Sequence, residues 1–127
     1  MILRDTCALL WRAMEPARLS EPARSLIAAN AGRLAVSAIS AFEIAIKARK
    51  KKLELSLPAS DWWRTALAHH GVACIPVSAG IALASVALPP HPSDPADRII
   101  IATAAHLSAT VLTPDAAFRD YDTKIDW

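Results

Sequence analysis

The 127-residue chain has few glycines and few cysteines, and each shortage excludes a kind of site. Three glycines do not supply the glycine-rich loop that cradles phosphates in Walker-type or dinucleotide-binding proteins. A nucleophile elbow with a Ser–His–Asp set is also missing. The two cysteines, Cys7 and Cys74, stand far apart and without metal-ligand spacing. They indicate two small buried thiols in a reducing cytosol.

The chain also lacks a strong excess of charge of either sign, with 14 basic and 12 acidic residues. The net charge is +2 and the isoelectric point is near 8.7, which does not by itself indicate nucleic-acid binding. Arg4 and Asp5 interrupt the apolar start, so no signal peptide is predicted. The uncharged stretch 66–88 contains Gly71, Pro76 and Gly80 and does not predict a membrane span. We expect one cytoplasmic globular domain over residues 1–127, without membrane association.

Short apolar strands alternate with helical patterns along the chain. Strands are predicted near 2–3, 34–37, 72–77, 110–113 and 124–125. Helices are predicted over 6–14, 21–30, 39–51, 60–69, 78–88 and 94–105, the fourth capped by Ser60 and Asp61. This alternation predicts an α/β fold: a mainly parallel central sheet of four to five short strands with helices on both faces.

The helix predicted from Asp94 to Ala105 carries an acid in its first turn. Asp94 is a favoured N-cap residue, and Pro95 suits the first helical position. Asp97 shares a face with the apolar residues that should point at the core, Ile100, Ile101, Ala104 and Ala105. Such a carboxylate is either a capping group, tied to backbone N–H groups and to Arg98, or it has a partner or a metal. The helix alone leaves both interpretations open.

Three other acids occupy related places. Asp5 and Asp115 each fall within two residues after a predicted strand, and Glu43, like Asp97, lies early in a helix. The carboxyl ends of parallel strands and the helices that follow them share one edge of a sheet, so all four acids could meet there. Each also has a simpler interpretation: Asp5 as an N-cap and Glu43 as a surface partner of Lys47.

Four carboxylates in one cleft would repel one another, and a divalent cation would remove that repulsion. The ligands are all oxygens, which favours Mg²⁺ or Mn²⁺ over Zn²⁺. Thr6 and Thr113 place hydroxyls beside Asp5 and Asp115, either for a metal-bound water or as caps. Such a site suits hydrolysis of a phosphodiester.

A basic run ends the third predicted helix, at Lys47, Arg49, Lys50, Lys51 and Lys52. It is either a solvated helix end that complements the helix dipole or a contact for phosphates. The candidate RNA contacts are Lys47, Arg49, Lys50 and Arg98. His91, in the proline-rich loop 89–93, is either a site residue or a solvated loop histidine.

The sequence resembles the PIN-domain ribonucleases, in particular the VapC-type toxins of bacterial toxin–antitoxin pairs. The resemblance lies in residues 2–6 with 8–11, 36–40 with 42–47, 94–104 and 112–115. Its most specific part is the stretch DPADRIIIATA at 94–104. The resemblance implies a metal-dependent endoribonuclease. Asp5, Glu43, Asp97 and Asp115 would hold the ion, Thr6 and Thr113 would support them, and Asp94 would cap.

The resemblance further implies a homodimer and an antitoxin partner, whose C-terminal segment would lie in a groove beside the active site. That groove would be lined by the early helices and the helix of Trp62 and Trp63. Two departures stand out. Arg4 replaces an aliphatic residue, which predicts a more exposed first strand, and Pro92 stands where relatives often have a histidine. The alternatives are a PIN-like module that binds RNA or a partner without cleavage, and a phosphoacceptor receiver domain.

Overall fold

Five parallel strands form the single sheet in the part of the chain that the structure, a computed structural model, describes: residues 1–91 and 94–127. The strands are β1 (Ile2–Arg4), β2 (Leu34–Ser37), β3 (Val72–Ile75), β4 (Thr110–Leu112) and β5 (Ile125–Asp126). Their order is β3-β2-β1-β4-β5, and every neighbouring pair is parallel. The predicted sheet is therefore confirmed, with β1 at its centre. The predicted loop at Pro92 and Ser93 lies outside the described residues.

Helices connect the strands, as predicted. They are α1 (Thr6–Met14), α2 (Glu21–Ala29), α3 (Ala38–Arg49), α4 (Ala59–His70), α5 (Ala79–Ala87) and α6 (Pro95–Leu107), with 3-10 turns at Pro16–Arg18 and Ala116–Asp120. Side chains cap several of their first turns, because Asp5, Ser20, Ser78 and Asp94 each accept a hydrogen bond from a backbone N–H three residues on. The predicted cap at Ser60 and Asp61 is wrong, since α4 begins after Pro58 and Asp61 lies in its first turn.

The two faces of the sheet carry separate apolar cores, because successive strand residues point to opposite sides. On one side Ile2 and Val36 pack with Leu9, Ile44 and Trp62 of the covering helices. On the other side the core residues are Leu3, Ala35, Ile100, Ile101, Val111 and Phe118. The apolar face of α6 therefore packs on the sheet through Ile100, Ile101 and Ala104 as predicted, whereas Ala105, also predicted to face the core, is exposed. No helix of the described residues is long and apolar enough to cross a membrane.

The expectation that Arg4 makes β1 more exposed is wrong. Every residue of β1 is buried, and Arg4 itself is 0% exposed. Within the described residues, none of its three guanidinium nitrogens has a hydrogen-bond partner. Burial, together with the positive charge of Arg12, lowers the pKa of Arg4 to about 10, so it stays charged at neutral pH. The central strand therefore carries a buried, uncompensated charge.

The expectation of two buried thiols is also corrected. Both cysteines are free, but Cys74 is exposed and Cys7 is only partly buried. Cys74 lies on β3, which is an edge strand and therefore has only one neighbouring strand to cover it.

Candidate active site

The candidate site lies at the edge of the sheet where the parallel strands end. Asp5 directly follows β1 and Thr113 directly follows β4. The N–H of Asp5 donates to the carbonyl of Leu112 at 3.1 Å, so the two strand ends are joined. The helices α1 and α3 start directly beyond β1 and β2, and this brings Thr6, Ser40 and Glu43 to the same edge.

Asp5 is both a helix cap and a member of an acidic cluster. Its side chain is 5% exposed, with one oxygen accepting from the N–H of Ala8 at 2.7 Å and the other from the hydroxyl of Thr113 at 2.5 Å. Burial, with smaller contributions from the charges of Asp115 and Glu43, raises its pKa to about 6, although the two hydrogen bonds act in the opposite direction. Asp5 therefore caps α1 and also lies among the acids at the sheet edge, so its two interpretations do not exclude each other.

Glu43 is held by a hydroxyl pair and not by Lys47. The hydroxyl of Thr6 donates to Oε1 of Glu43 and lies 2.8 Å from the hydroxyl of Ser40. Because the hydroxyl of Thr6 has one hydrogen and donates it to Glu43, it accepts the hydrogen bond from the hydroxyl of Ser40. Burial and the nearby charge of Asp94 raise the pKa of Glu43, whereas Thr6 and Lys47 lower it.

The predicted ion pair of Glu43 with Lys47 does not form. The ion pairs of the described residues join Arg18 to Glu15 and Arg64 to Asp61. Ser40 is a site residue that the sequence reasoning missed. The available signal was its position three residues before Glu43, which places both on one face of α3.

At the start of α6, Asp94 caps the helix and Asp97 is the acid that faces the other carboxylates. Oδ1 of Asp94 accepts from the N–H of Asp97 at 2.9 Å, so Asp94 is the cap. Asp97 is partly buried, and its pKa rises to about 7, first through burial and then through the charges of Asp94, Glu43, Asp115 and Asp5. Asp97 therefore lies within electrostatic reach of all the other acids at this edge.

Asp115 is connected to Asp5 through Thr113. The hydroxyl of Thr113 accepts from the N–H of Asp115 at 3.0 Å while it donates to Asp5. Asp115 itself is exposed and accepts from the N–H of Ala117 at 2.9 Å, which caps the 3-10 turn at Ala116–Asp120. Thr113 therefore orients one buried and one exposed acid.

The chemistry of the donors fits a hard divalent cation. All of them are oxygens, and the acids raise one another's pKa, a repulsion that a bound cation would remove. As the side chains stand, however, no three Asp, Glu, His or Cys residues between 1 and 91 or 94 and 127 lie close enough together to hold one ion. Asp5 and Glu43 point instead at hydrogen-bond donors.

Arg98 donates to backbone carbonyls and does not form an ion pair with Asp97. Its guanidinium donates to the carbonyls of Leu88 at 2.9 Å and Pro89 at 2.7 Å, and to the hydroxyl of Tyr121 at 3.2 Å. His91 packs edge-on against the ring of Tyr121, with 5.1 Å between the ring centroids. Arg98 therefore ties Leu88 and Pro89 to α6, and His91 packs on Tyr121. Of the candidate RNA contacts, Arg49 and Lys50 are exposed and Lys47 is partly exposed.

Replacing Thr113 by valine should raise the pKa of Asp5 above about 6, because the hydrogen bond that favours its charged form is lost. The free energy of unfolding should fall by about 1–2 kcal/mol at pH 8 and by less at pH 5, where Asp5 is protonated. Carboxyl NMR titration and urea unfolding measure the two effects. Thr110→Val, at the other end of β4, is the matched control. An unchanged pKa of Asp5 would contradict the assigned role of Thr113.

Comparison with known proteins agrees with this architecture. The sequence model of the PIN domain matches residues 2–124. Ribonuclease VapC22 of Mycobacterium tuberculosis is 38% identical over 121 residues, which cover 94% of this chain and 91% of that protein.

Solved structures share the fold. A toxin–antitoxin complex from Klebsiella pneumoniae superposes with a TM-score of 0.69 at 23% identity, over 100% of this chain and 97% of that one. VapBC2 from Rickettsia felis, bound to a DNA fragment from its promoter, superposes with a TM-score of 0.73 at 15% identity, over 99% and 98%. With a family match over nearly its whole length and a curated relative at 38% identity, the chain belongs to the PIN-domain family, among the relatives of the VapC ribonucleases.

Proposed function

We propose that this protein is a metal-dependent endoribonuclease and the toxin of a toxin–antitoxin pair. The observation that carries the proposal is the pair of acids at the sheet edge, Asp5 and Asp97, whose pKa values are raised to about 6 and about 7 by burial and by the acids around them. Such a cluster suits a divalent cation. The 38% identity to a ribonuclease over most of the chain supports RNA as the substrate.

In this proposal Asp5, Glu43, Asp97 and Asp115 hold Mg²⁺, with Mn²⁺ as the alternative. A bound divalent ion would lower the pKa of a water molecule and stabilise charge on the leaving oxygen. The protein's own contribution is to place these acids at one edge of the sheet. Thr113 and the N–H of Ala8 hold Asp5 there, Thr6 holds Glu43, and the cap of Asp94 fixes the turn that carries Asp97. The carboxylates of Asp5 and Glu43 would turn from these donors toward the ion.

Lys47, Arg49 and Lys50 are the proposed contacts for RNA phosphates, because they extend from the groove beside Glu43 to the end of α3. Arg98 is left out of this set, since its guanidinium is already engaged by carbonyls.

An antitoxin is the proposed protein partner, since solved structures of the same fold are toxin–antitoxin complexes. A cleft of about 320 Å³ beside α1 and α2 is lined by Arg12, Leu19, Arg24 and Ile27, and we assign the antitoxin segment to it. Trp62 lines a second, smaller cleft of about 150 Å³ together with Ala13 of α1, although only 7% of Trp62 is exposed. The complex would act in the cytoplasm.

A homodimer is the proposed assembly. The outer face of α5 carries two exposed apolar side chains, Leu83 at 74% and Val86 at 80%. Exposed apolar residues that share a helix face are typical of a protein contact. The phosphoacceptor receiver alternative is wrong, because the strand order β3-β2-β1-β4-β5 differs from the 2-1-3-4-5 order of that fold.

The test is cleavage of RNA by the purified protein with Mg²⁺, with Mn²⁺ and with a chelator. Cleavage should require the ion, and Asp5→Asn should reduce the cleavage rate at least about 100-fold. Mutation of residues that only hydrogen-bond to metal ligands already lowers activity by about 10–100-fold, and Asp5 is proposed as a ligand itself. Asp122→Asn is the matched control, because Asp122 is exposed beside the start of β4, at the opposite edge of the sheet. Cleavage that survives Asp5→Asn, or that continues in chelator, would exclude the proposal. Metal binding without turnover would favour the non-cleaving module.

A further inference from the structure

A groove continues from the acidic cluster along α3. It has a volume of about 310 Å³ and lies between α3 and the start of α6. Ile39, Phe42 and Ile46 line one wall, and Pro95, Ala96 and Ile99 line the other. Glu43 and Asp94 lie at the groove as well, so the acidic cluster and the groove share residues. A chain that occupies the groove therefore reaches the acids directly.

Phe42 is the exposed aromatic residue of this groove. Its side chain is 60% exposed, although it directly precedes Glu43, and Ile46, one helical turn further on, is 36% exposed. A phenyl ring at this exposure contributes little to the core, whose α3 residue is Ile44 at 1% exposure. Large apolar side chains grouped in an exposed groove indicate a binding surface.

The charges of the groove indicate which ligand it takes. Lys47 lies at the groove and is followed by the exposed Arg49 and Lys50, whereas Glu43 and Asp94 supply the acidic end. Single-stranded nucleic acid combines flat apolar bases with a regularly charged backbone, and proteins bind it with aromatic side chains next to basic ones.

We propose that the ring of Phe42 stacks on the base of a nucleotide next to the scissile phosphate, while Lys47 contacts a phosphate of the same strand. This inference rests on the proposed ribonuclease function. Phe42 would then set the affinity for single-stranded RNA without selecting the base at that position, and would take no part in the bond-breaking step. Stacking tolerates every base, because each base has a flat face.

The first measurement separates binding from turnover. Steady-state cleavage of a short single-stranded RNA is compared for the wild type, Phe42→Ala, Phe42→Leu and Phe42→Tyr. We expect KM to rise about 10-fold for the alanine and leucine variants, in the range of base–aromatic stacking, with kcat changed less than about 3-fold. Tyrosine should behave as the wild type. Met14→Ala, which removes an exposed apolar side chain (39% exposed) outside this groove, is the matched control and should leave KM unchanged.

The second measurement does not depend on cleavage. The Asp97→Asn variant is titrated with RNA that carries 2-aminopurine, moved one position at a time along the strand. Stacking on Phe42 should quench the fluorescence at one position, and Asp97→Asn combined with Phe42→Leu should lose that quenching. Lys47→Met should weaken binding and reduce its salt dependence without removing the quenching.

The outcomes distinguish the two proposals. If the wild type cleaves RNA and Phe42→Leu leaves both KM and the quenching unchanged, the stacking inference is wrong and the ribonuclease proposal stands. If Phe42→Leu behaves as the wild type while Phe42→Ala dissociates the protein in light scattering, the groove joins two copies of the chain, and the inference is wrong for that reason. If no RNA is cleaved but Phe42-dependent quenching is present, the ribonuclease proposal fails and the RNA-binding groove remains.

Discussion

Replacing Asp97 by asparagine should make the metal-free protein more stable at pH 8 while abolishing its cleavage of RNA. Burial and the surrounding acids raise the pKa of Asp97 from 3.8 to about 7. The folded state therefore binds more protons than the unfolded state between about pH 4 and pH 7, and the wild type loses stability as pH rises through this window. Asparagine does not titrate, so Asp97→Asn should escape this loss.

The expected stabilisation of Asp97→Asn at pH 8 is about 2 kcal/mol, and it should shrink toward zero near pH 4. One pKa unit corresponds to about 1.4 kcal/mol, and we discount the full shift because Asp97 is only partly buried and coupled acids do not act additively. Urea unfolding across this pH range, in the presence of chelator, measures the difference.

Two comparisons make this measurement decisive. Asp122→Asn, an exposed acid at the opposite edge of the sheet, should leave the pH dependence unchanged. Saturating Mg²⁺ should stabilise the wild type at pH 8 and not Asp97→Asn, because only a site with its charges intact gains from the ion. A stability difference that stays constant from pH 4 to pH 8 would contradict the electrostatic account.

Replacing Arg4 by methionine should stabilise the protein by about 2 kcal/mol, because a buried charge without a partner costs several kcal/mol and an apolar residue of similar length avoids that cost. Arg4 is 0% exposed, lies on the face of β1 that meets the core around Ile2 and Val36, and has no hydrogen-bond partner for its guanidinium among the described residues. Methionine adapts to irregular space, so the substitution requires little repacking. The urea midpoint should rise with an unchanged slope.

Arg12→Met is the matched control for this prediction. Arg12 lies on α1, is partly exposed, and contributes to the lowered pKa of Arg4 through its positive charge. Its replacement should relieve part of the repulsion and change stability by less than about 1 kcal/mol. If Arg4→Met destabilised the protein, the guanidinium would have to be compensated by a buried water or anion.

The sequence allowed the sheet and the positions of its acids to be predicted, because both follow from local patterns. Apolar runs followed at once by Asp5 or by Thr113 and Asp115 mark strand ends, and parallel strands bring their ends to one edge. The cap at Asp94 was predictable for the same reason, since capping depends on residues within one turn.

Contacts between distant segments were not predictable in the same way. The bond of Thr6 with Ser40 joins residues 34 positions apart, and it depends on the packing of α1 against α3. The burial of Arg4 depends on the helices that cover β1, and an arginine in a strand ordinarily indicates exposure. Arg98 next to Asp97 looks like an ion-pair partner, but it donates instead to the carbonyls of Leu88 and Pro89, just beyond α5.

The contacts of Arg98 also have a thermodynamic consequence. Asp97 and Arg98 are consecutive residues, and Arg98 donates to the carbonyls of Leu88 and Pro89, just beyond the helix that exposes Leu83 and Val86. The hydrogen bonds of Arg98 therefore join the segment that follows α5 to the residue next to Asp97. A partner bound on the outer face of α5 and an ion bound at Asp97 would be coupled through these hydrogen bonds. Coupling free energy is reciprocal. If assembly tightens ion binding by some factor, the ion must tighten assembly by the same factor, so a higher protein concentration would strengthen ion binding and added ion would strengthen assembly.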